Sequence, residues 1–469
     1  MSDKINNFAE GGNTSRIIIT CVVASLAGLL FGMDTGIISG ALPFLKIEYH
    51  LSTVVEECIV SSVLLGAFIG TVLSAFISKK YGRKNNLIIS SIIFIIASLA
   101  CYFSTSALQL IFFRLFLGSA VGMAAFNAPI YLAEMAPKNI RGILISFYQT
   151  MVNIGILAAL LIDTFFTYSS NWRAMLGALA IPAVFMFCGI IFLPKSPRWL
   201  LLKGKKKEAF IVLRKMRKCS NLEIEQEIDE IENVLKHQKK GWTLFLNNKF
   251  FRKAIFLGIA IQAAQQLTGI NIMFYYAPTV FHSIGFQNSV AAMWGGVTLG
   301  VVFVISGFVS MIFIDRVGRR PLLNIGALFM GIAFFVLAII MLIGINGLTT
   351  QFLAVSCLVI FMFAFGISSA PVAWIIVSEI CPLQGRNFGM AVSTSTNWIA
   401  NFIIGMTFLS ILNKYGSSFT FFLLGGINIA LIIIYYFYTP ETKNVSLEHL
   451  EKNLMNGVKL RFIGNRGLK

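Results

Sequence analysis

Charge is what this sequence lacks most. Of its 469 residues only 12% are Asp, Glu, Lys or Arg, where a soluble domain carries about 25%. Hydrophobic residues make up 57% and the mean hydropathy is +0.79, so a soluble protein is excluded. A globular enzyme on one or two anchors is excluded too, because apolar runs recur from Ile17 to Tyr438. Cysteine is thin as well. Cys21, Cys58, Cys101, Cys188, Cys219, Cys357 and Cys381 form no CxxC or other ligand spacing, and most sit in apolar runs where Cys behaves as a small hydrophobe. They read as reduced and structural, and no metal site is expected. Acidic residues are fewer than basic ones, 20 against 38, for a net charge of +18. Such an excess can signal nucleic acid or an anionic surface, so its placement matters. The first sixteen residues are polar and lead into an apolar run too long for a signal h-region, so no cleaved signal is expected.

A spanning helix needs roughly 20 apolar residues. Breaks by charge, Pro and Gly divide the chain into twelve such segments, at about 17–42, 55–78, 87–105, 109–133, 144–167, 174–193, 253–282, 291–314, 322–345, 351–380, 387–411 and 418–438. The expected fold is an all-α membrane protein. Between the sixth and seventh spans lies one long polar segment, 194–253, whose stretch from Glu208 to Lys236 has helical spacing and blocks of both charge signs. Alternate loops differ sharply in charge. All 38 basic residues lie on the side of the termini and the long loop except Lys46, Arg173 and Lys414, on the other side with Glu48, Glu56, Glu57 and Asp163, and Arg114, inside a span. The positive-inside rule then puts both termini and the 194–253 segment in the cytoplasm. The excess charge is thus a topology signal, compatible with anionic lipid of the inner leaflet, and no nucleic-acid partner is expected.

The two halves of the chain repeat. Lys79-Lys80-Tyr81-Gly82-Arg83-Lys84 after span two matches Asp315-Arg316-Val317-Gly318-Arg319-Arg320 after span eight, with Lys79 in place of Asp315. Glu134 and Arg141 after span four share a spacing of seven with Glu379 and Arg386 after span ten, and Pro194-Lys-Ser-Pro-Arg-Trp has a looser echo in Pro440-Glu-Thr-Lys. The pattern is a parallel duplication of six helices, as expected of two bundles facing each other across a central site. Loop charges obeying topology would not require these spacings at matching helix ends. The charged motifs instead suggest a latch, Arg83, Glu134, Arg141, Asp315, Arg319, Glu379 and Arg386, whose ion pairs between the halves hold the inner face shut.

Asp34 lies well inside span one and Arg114 inside span four, where an Asp costs roughly 2.5–3.5 kcal/mol on insertion scales. Gly28, Gly32, Gly36 and Gly40 recur every four residues and form a small-residue face for close helix contact, which leaves the Asp unexplained. One reading is a structural Asp34–Arg114 pair. The other is a titrating carboxylate whose proton affinity depends on whether Arg114 is near, the chemistry of a proton-coupled carrier. Span seven carries Gln262, Gln265, Gln266 and Asn271, then Tyr275 and Tyr276. The three glutamines share a face, Gly269 permits local unwinding, and amides both donate and accept, which suits sugar hydroxyls. Span ten holds a Gly/Pro break from Gly366 to Pro371 followed by Trp374, whose indole can stack on the C–H face of a sugar ring. Gln149, Asn397, Trp398 and Asn401 add polar groups in spans five and eleven, with Asn397 and Asn401 one turn apart.

Gln265-Gln-Leu-Thr-Gly-Ile-Asn271, Pro194-Lys-Ser-Pro-Arg-Trp, Pro440-Glu-Thr-Lys, the two Gly-Arg loops and the two Glu-x6-Arg loops together resemble the sugar porter family of the major facilitator superfamily, from about residue 17 to the tail. The tail from Pro440 to Met455, with Phe31-Gly-Met-Asp-Thr-Gly and Met293-Trp-Gly, is similar to that of bacterial galactose–proton and arabinose–proton symporters. The resemblance implies the major facilitator fold, proton coupling at Asp34 with Arg114, sugar contacts at Gln149, Gln265, Gln266, Asn271, Trp374 and Asn401, an outer gate at Tyr275 and Tyr276, and an intracellular helical domain at 194–253. Phe303 departs from it, standing where many members have a sugar-contacting Asn.

The expectation is a proton-coupled monosaccharide symporter of the cell membrane, not an enzyme, working by alternating access on a hexose or pentose such as galactose, glucose, arabinose or xylose. It uses no cofactor beyond the proton gradient and acts as a monomer. Its expected parts are a cytoplasmic N-terminus (1–16), an N-terminal six-helix bundle (17–193), the helical linker (194–253), a C-terminal bundle (254–438) and a cytoplasmic tail (439–469). A facilitative uniporter would share the sugar site and lack coupling, and Asp34 argues against it. A non-transporting sensor commonly carries a long signalling tail, where this one has about thirty residues after Pro440.

Overall fold

The computed structural model describes residues 14–465, apart from 138–139, 218–219, 237–240, 346 and 383–384. The expected N-terminal segment 1–16 therefore falls mostly outside the described residues. Apolar helices dominate: α1 (Thr14–Glu48), α2 (Thr53–Tyr81), α3 (Arg83–Tyr102), α4 (Ala107–Met135), α5 (Arg141–Thr167), α6 (Trp172–Phe192), α7 (Lys249–Tyr275), α8 (Ser289–Val317), α9 (Arg319–Ile343) and α10 (Leu348–Ile380). A last helical run, Arg386–Tyr438, is broken by the non-helical Gly416 and comprises α11 (386–415) and α12 (417–438). Twelve spans result, in the expected order.

Helix ends differ from the expectation in a consistent direction. Lys79 and Lys80 belong to α2, Asp315 and Arg316 to α8, and α7 begins at Lys249 rather than 253. The apolar count ends where the bilayer ends, whereas the backbone keeps its internal hydrogen bonds until a residue breaks them. With 35 residues α1 is about 52 Å long at 1.5 Å per residue, well beyond a hydrocarbon core of about 30 Å. The breaks at Gly82 and Gly318 are alike, with φ of 91° and 102°, a backbone conformation that favours glycine.

The described residues form two compact units. One comprises Met1–Ile37, Ser62–Ala159 and Arg173–Gln238, the other Ile38–Ser61, Leu160–Trp172 and Lys239–Lys469. These boundaries cut through α1, α2 and α5. Polar contacts tie segments of α2 and α11 together within the second unit. The backbone N–H and hydroxyl of Ser410 on α11 each donate to the Glu57 carboxylate of α2 at 2.7 Å, and Asn413 Nδ2 donates to Thr53 Oγ1 at 3.0 Å.

Within the first unit, glycine sets the closest approaches. A Cβ on Gly32 of α1 would stand 2.0 Å from the Val152 carbonyl of α5, and one on Gly36 would stand 2.7 Å from Ala159 Cβ. Gly66 and Gly118 bring α2 and α4 together in the same way, against the carbonyls of Leu115 and Val63. This is small-residue packing, which substitutes dispersion contact for the hydrophobic drive that lipid does not supply. In the second unit the row continues, with Gly40 N–H donating to Asp163 Oδ2 at 3.0 Å.

The polar linker folds into the helices Pro197–Leu202, Lys206–Met216, Asn221–Lys236 and Gly241–Asn247. The first three enclose a small core of Trp199, Leu200, Leu201, Ala209, Leu213, Ile224 and Ile228. Arg217 fastens this core to the end of α4, donating to the carbonyls of Met135 (2.8 Å) and Ala136 (3.2 Å) while pairing with Glu227 at 3.1 Å. A cation there satisfies acceptors that the helix end leaves open.

Candidate functional site

In the first unit, Asp34 on α1 and Arg114 on α4 are 3% and 1% exposed. The Arg114 guanidinium is within electrostatic reach of the Asp34 carboxylate, and Cys101 lies near both. Asp34 Oδ1 has no hydrogen-bond partner among the described residues. A carboxylate taken out of water and held near a cation can exchange its charge for a proton without a large movement of the backbone. Gln149 lies on α5, half-buried, its Nε2 at 3.5 Å from Asn153 Oδ1.

The second unit holds the amide cluster. α7 is helical from Lys249 to Leu267, breaks at Gly269 (φ 89°), and resumes from Ile270 to Tyr275. The break swings Asn271 back so that its Nδ2 donates to Gln266 Oε1. Asn397 of α11 is the hub: it accepts from Gln266 Nε2 at 2.9 Å and donates to Gln262 Oε1 at 2.7 Å and Gln265 Oε1 at 2.9 Å. Gln265 Nε2 turns to the carbonyls of Ser369 (3.0 Å) and Ala370 (3.2 Å), which lie just past the break of α10 at Ser368. Trp374 follows that break and is half-buried. Unwound carbonyls are thus met by side-chain donors, which is how broken helices persist at membrane depth. One turn beyond Asn397, Asn401 Nδ2 donates to the Tyr275 hydroxyl at 2.9 Å. Tyr276 donates to the Gly405 carbonyl at 2.8 Å. Gln262 Nε2 and Asn401 Oδ1 are buried without a partner among the described residues, leaving one donor and one acceptor of the network in hand.

Of the residues that sequence reasoning named, Gln265, Gln266 and Asn271 are linked through Asn397 and one another, and Asn401 and Tyr275 form a separate pair; the same reasoning placed Gln262 in the amide cluster and noted Asn397 as one turn from Asn401. The signal for Asn397 was its one-turn spacing from Asn401; which of the two faced the glutamines required the packing of α11 on α7. Phe303 of α8 packs its ring on Phe274 (5.2 Å between centroids) and Phe365 (6.2 Å), so its surroundings are apolar.

Two of the charged motifs form ion pairs inside their own units. Arg83 pairs with Glu134 at 3.0 Å, and Glu134 also accepts from the Ser196 hydroxyl. Arg319 pairs with Asp315 at 3.2 Å and Glu379 at 3.4 Å. The Gly-Arg turn places each arginine at the start of a helix, next to the glutamate at the end of another helix of its own unit. Arg386 Nε contacts the Cys381 carbonyl at 3.4 Å, and the Arg141 side chain lies outside the described residues. The second half of each motif closes on the same turns. Trp199 covers Gly82 and its Nε1 donates to the Lys79 carbonyl at 3.3 Å. The Glu441 carboxylate covers Gly318 and accepts from the backbone N–H groups of Arg319 and Arg320, both at 3.1 Å. The loose sequence echo between residues 194–199 and 440–443 therefore does equivalent work at the two turns.

The sequence matches the sugar (and other) transporter family over residues 20–454. The chain belongs to that family. Among its curated relatives, the galactose-proton symporter of Escherichia coli (strain K12) is 45% identical over 452 residues, covering 96% of this chain and 97% of the relative. The arabinose-proton symporter of the same organism is 45% identical over 446 residues, 94% of each chain. A solved structure of the major facilitator superfamily proton:xylose symporter XylE, bound to 6-bromo-6-deoxy-D-glucose, is 30% identical with a TM-score of 0.79, covering 94% of this chain and 99% of that one. The all-α fold of this sugar transporter is that of the major facilitator superfamily.

Proposed function

We propose that this sugar transporter is a proton-coupled monosaccharide symporter. The observation that carries the reading is the buried Asp34 carboxylate within reach of Arg114 inside the membrane-spanning part of the chain. A uniporter needs no such pair, and a pair serving packing alone would leave the unpartnered Asp34 oxygen without a purpose. Protonation of Asp34 releases Arg114, and the loaded carrier then closes outside and opens inside. The amides Gln265, Gln266, Asn271 and Asn401, with Asn397 and Gln262 behind them, exchange their mutual hydrogen bonds for sugar hydroxyls; Gln149 and Trp374 complete the sugar site, with Tyr275 and Tyr276 at the outer gate. The symport of galactose, arabinose or xylose by similar proteins supports a hexose or pentose.

The positive-inside count supports a plasma or inner membrane location with both termini and the 194–253 segment in the cytoplasm. In this reading the Arg83–Glu134 and Arg319–Glu379 pairs are latches within each half that stabilise the inner ends of the helices. The chain acts singly and draws on the proton gradient without a cofactor. At 100 mV one proton supplies about 2.3 kcal/mol, and tenfold accumulation costs about 1.4 kcal/mol, so one-to-one coupling sustains roughly 50-fold accumulation. Counterflow and net uptake of radiolabelled galactose, arabinose and xylose in proteoliposomes test the reading. Accumulation that follows an imposed inward proton gradient supports it; uptake that merely equilibrates whatever the gradient indicates a uniporter, and sugar binding without flux a sensor.

A further inference from the structure

Two arginines of the second unit share one aromatic ring. The Arg320 guanidinium, at the start of α9, lies 4.8 Å from the centroid of Tyr436 near the end of α12, and Arg461, from the short turn Leu460–Phe462 after the tail helix Leu447–Met455, lies 4.5 Å from the same centroid. A ring face offsets part of a cation's charge, yet two like charges on a single ring repel. The carboxylate beside them, Glu441, carries one negative charge against their two and so offsets them only in part. Both oxygens of Glu441 are taken by backbone N–H groups, those of Arg319, Arg320 and Lys443. Arg461 Nε is buried without a hydrogen-bond partner among the described residues. The cluster has positive charge and donor capacity in excess of what the described residues satisfy.

Its position indicates what satisfies it. Tyr436 stands at the end of an apolar span whose neighbours are open: Phe437 is 54% exposed, Tyr438 57%, and Phe462 40%. Exposed aromatic rings at a span end mark the headgroup level of a bilayer, and arginine stems lie along apolar surface while their heads reach for charge. We propose that Arg320 and Arg461 hold the phosphate of an anionic phospholipid headgroup, with the acyl chains running along α12 over Phe437 and Ile433. The phosphate bridges the two guanidinium groups, each of which can offer it paired donors, and so fastens the tail turn Leu460–Phe462 to the membrane-facing end of α9. The bridged charges are ones that topology alone would have tolerated anywhere on this side of the chain.

Native mass spectrometry of the full-length protein, released from nanodiscs containing phosphatidylglycerol and phosphatidylcholine, reads the site directly. Wild type should retain phosphatidylglycerol in preference to phosphatidylcholine; Arg320→Gln with Arg461→Gln should reduce that retention about tenfold, while the distant Lys205→Gln with Lys206→Gln should keep most of it. Soluble glycerol 3-phosphate should not displace the lipid. Equal phosphatidylglycerol retention in the wild type and the glutamine double variant overturns the proposal, as does displacement by glycerol 3-phosphate, which would make the site one for soluble phosphate. A loss of equal size in the Lys205/Lys206 variant also overturns it, since the attraction would then be diffuse charge.

Discussion

At the scale of single residues, the proposed sugar site is a set of amides that satisfy one another in the absence of a ligand. Asn397 bonds three glutamines, so Asn397→Leu removes bonds worth about 0.5–1.5 kcal/mol each and leaves buried amide groups unmatched. Sugar affinity, measured by isothermal titration on detergent-purified protein, should fall at least tenfold with the fold retained; an unchanged affinity would remove the cluster from the binding site. The amides of α7 were legible in the sequence because an amide is conspicuous in an apolar run, and so were Asp34 and Arg114, for the same reason with charge in place of an amide. The rank of Asn397 over Asn401 was not, because spacing within one helix does not say which turn faces the partner helix. Cys381 offers a native reporter for the charged loops. Burial pushes its thiol up to about 12, with Arg386 pulling it partly back. Little Cys381 thiolate is therefore present at neutral pH, and maleimide labelling at Cys381, read site by site by peptide mass spectrometry, should be slow, rising about tenfold per unit as pH increases. Arg386→Ala loses a cation that favours thiolate, yet it frees the loop whose burial is the larger cause, so labelling at pH 8 should accelerate; slower labelling would mean that the loop is held without Arg386.

At the scale of elements, apolar length predicted twelve spans and composition predicted two of their breaks, at Gly269 and around Ser368. Helix ends were less legible. Lysines at 79 and 80 read as loop because they are charged, but a helix continues in water until a residue with special backbone freedom ends it, and Gly82 and Gly318 do so. The every-fourth glycines of α1 were legible as a contact face, though their partner, α5, was not, because a small-residue stripe does not name what it touches. Gly32→Leu tests the contact. With the Val152 carbonyl 2.0 Å from the first added atom, α1 and α5 must separate, and overpacking of this kind costs about 1–3 kcal/mol or more. The melting temperature in detergent should drop by several degrees, whereas Leu29→Met on a neighbouring position of the helix should leave it nearly unchanged. An equal response from both would mean that the close approach carries no particular weight.

At the scale of the whole molecule, the repeat in the sequence predicted paired turns and paired glutamates, and both exist. It did not say which partner each arginine takes: Arg83 takes Glu134 and Arg319 takes Glu379, each inside one unit. Sequence separation and charge say which residues want partners, while the choice among partners depends on how helices pack. Arg83→Ala leaves Glu134 with the Ser196 hydroxyl alone and should increase labelling of cysteines introduced at the inner ends of α2 and α4; unaltered labelling would remove Arg83–Glu134 from the latch. The central claim concerns the proton, and one measurement bears on it most directly: sugar accumulation by reconstituted Asp34→Asn protein under an imposed inward proton gradient, with sugar exchange measured in the same vesicles. The account predicts that exchange persists and gradient-driven accumulation disappears. A mutant that still concentrates sugar against its gradient would contradict it.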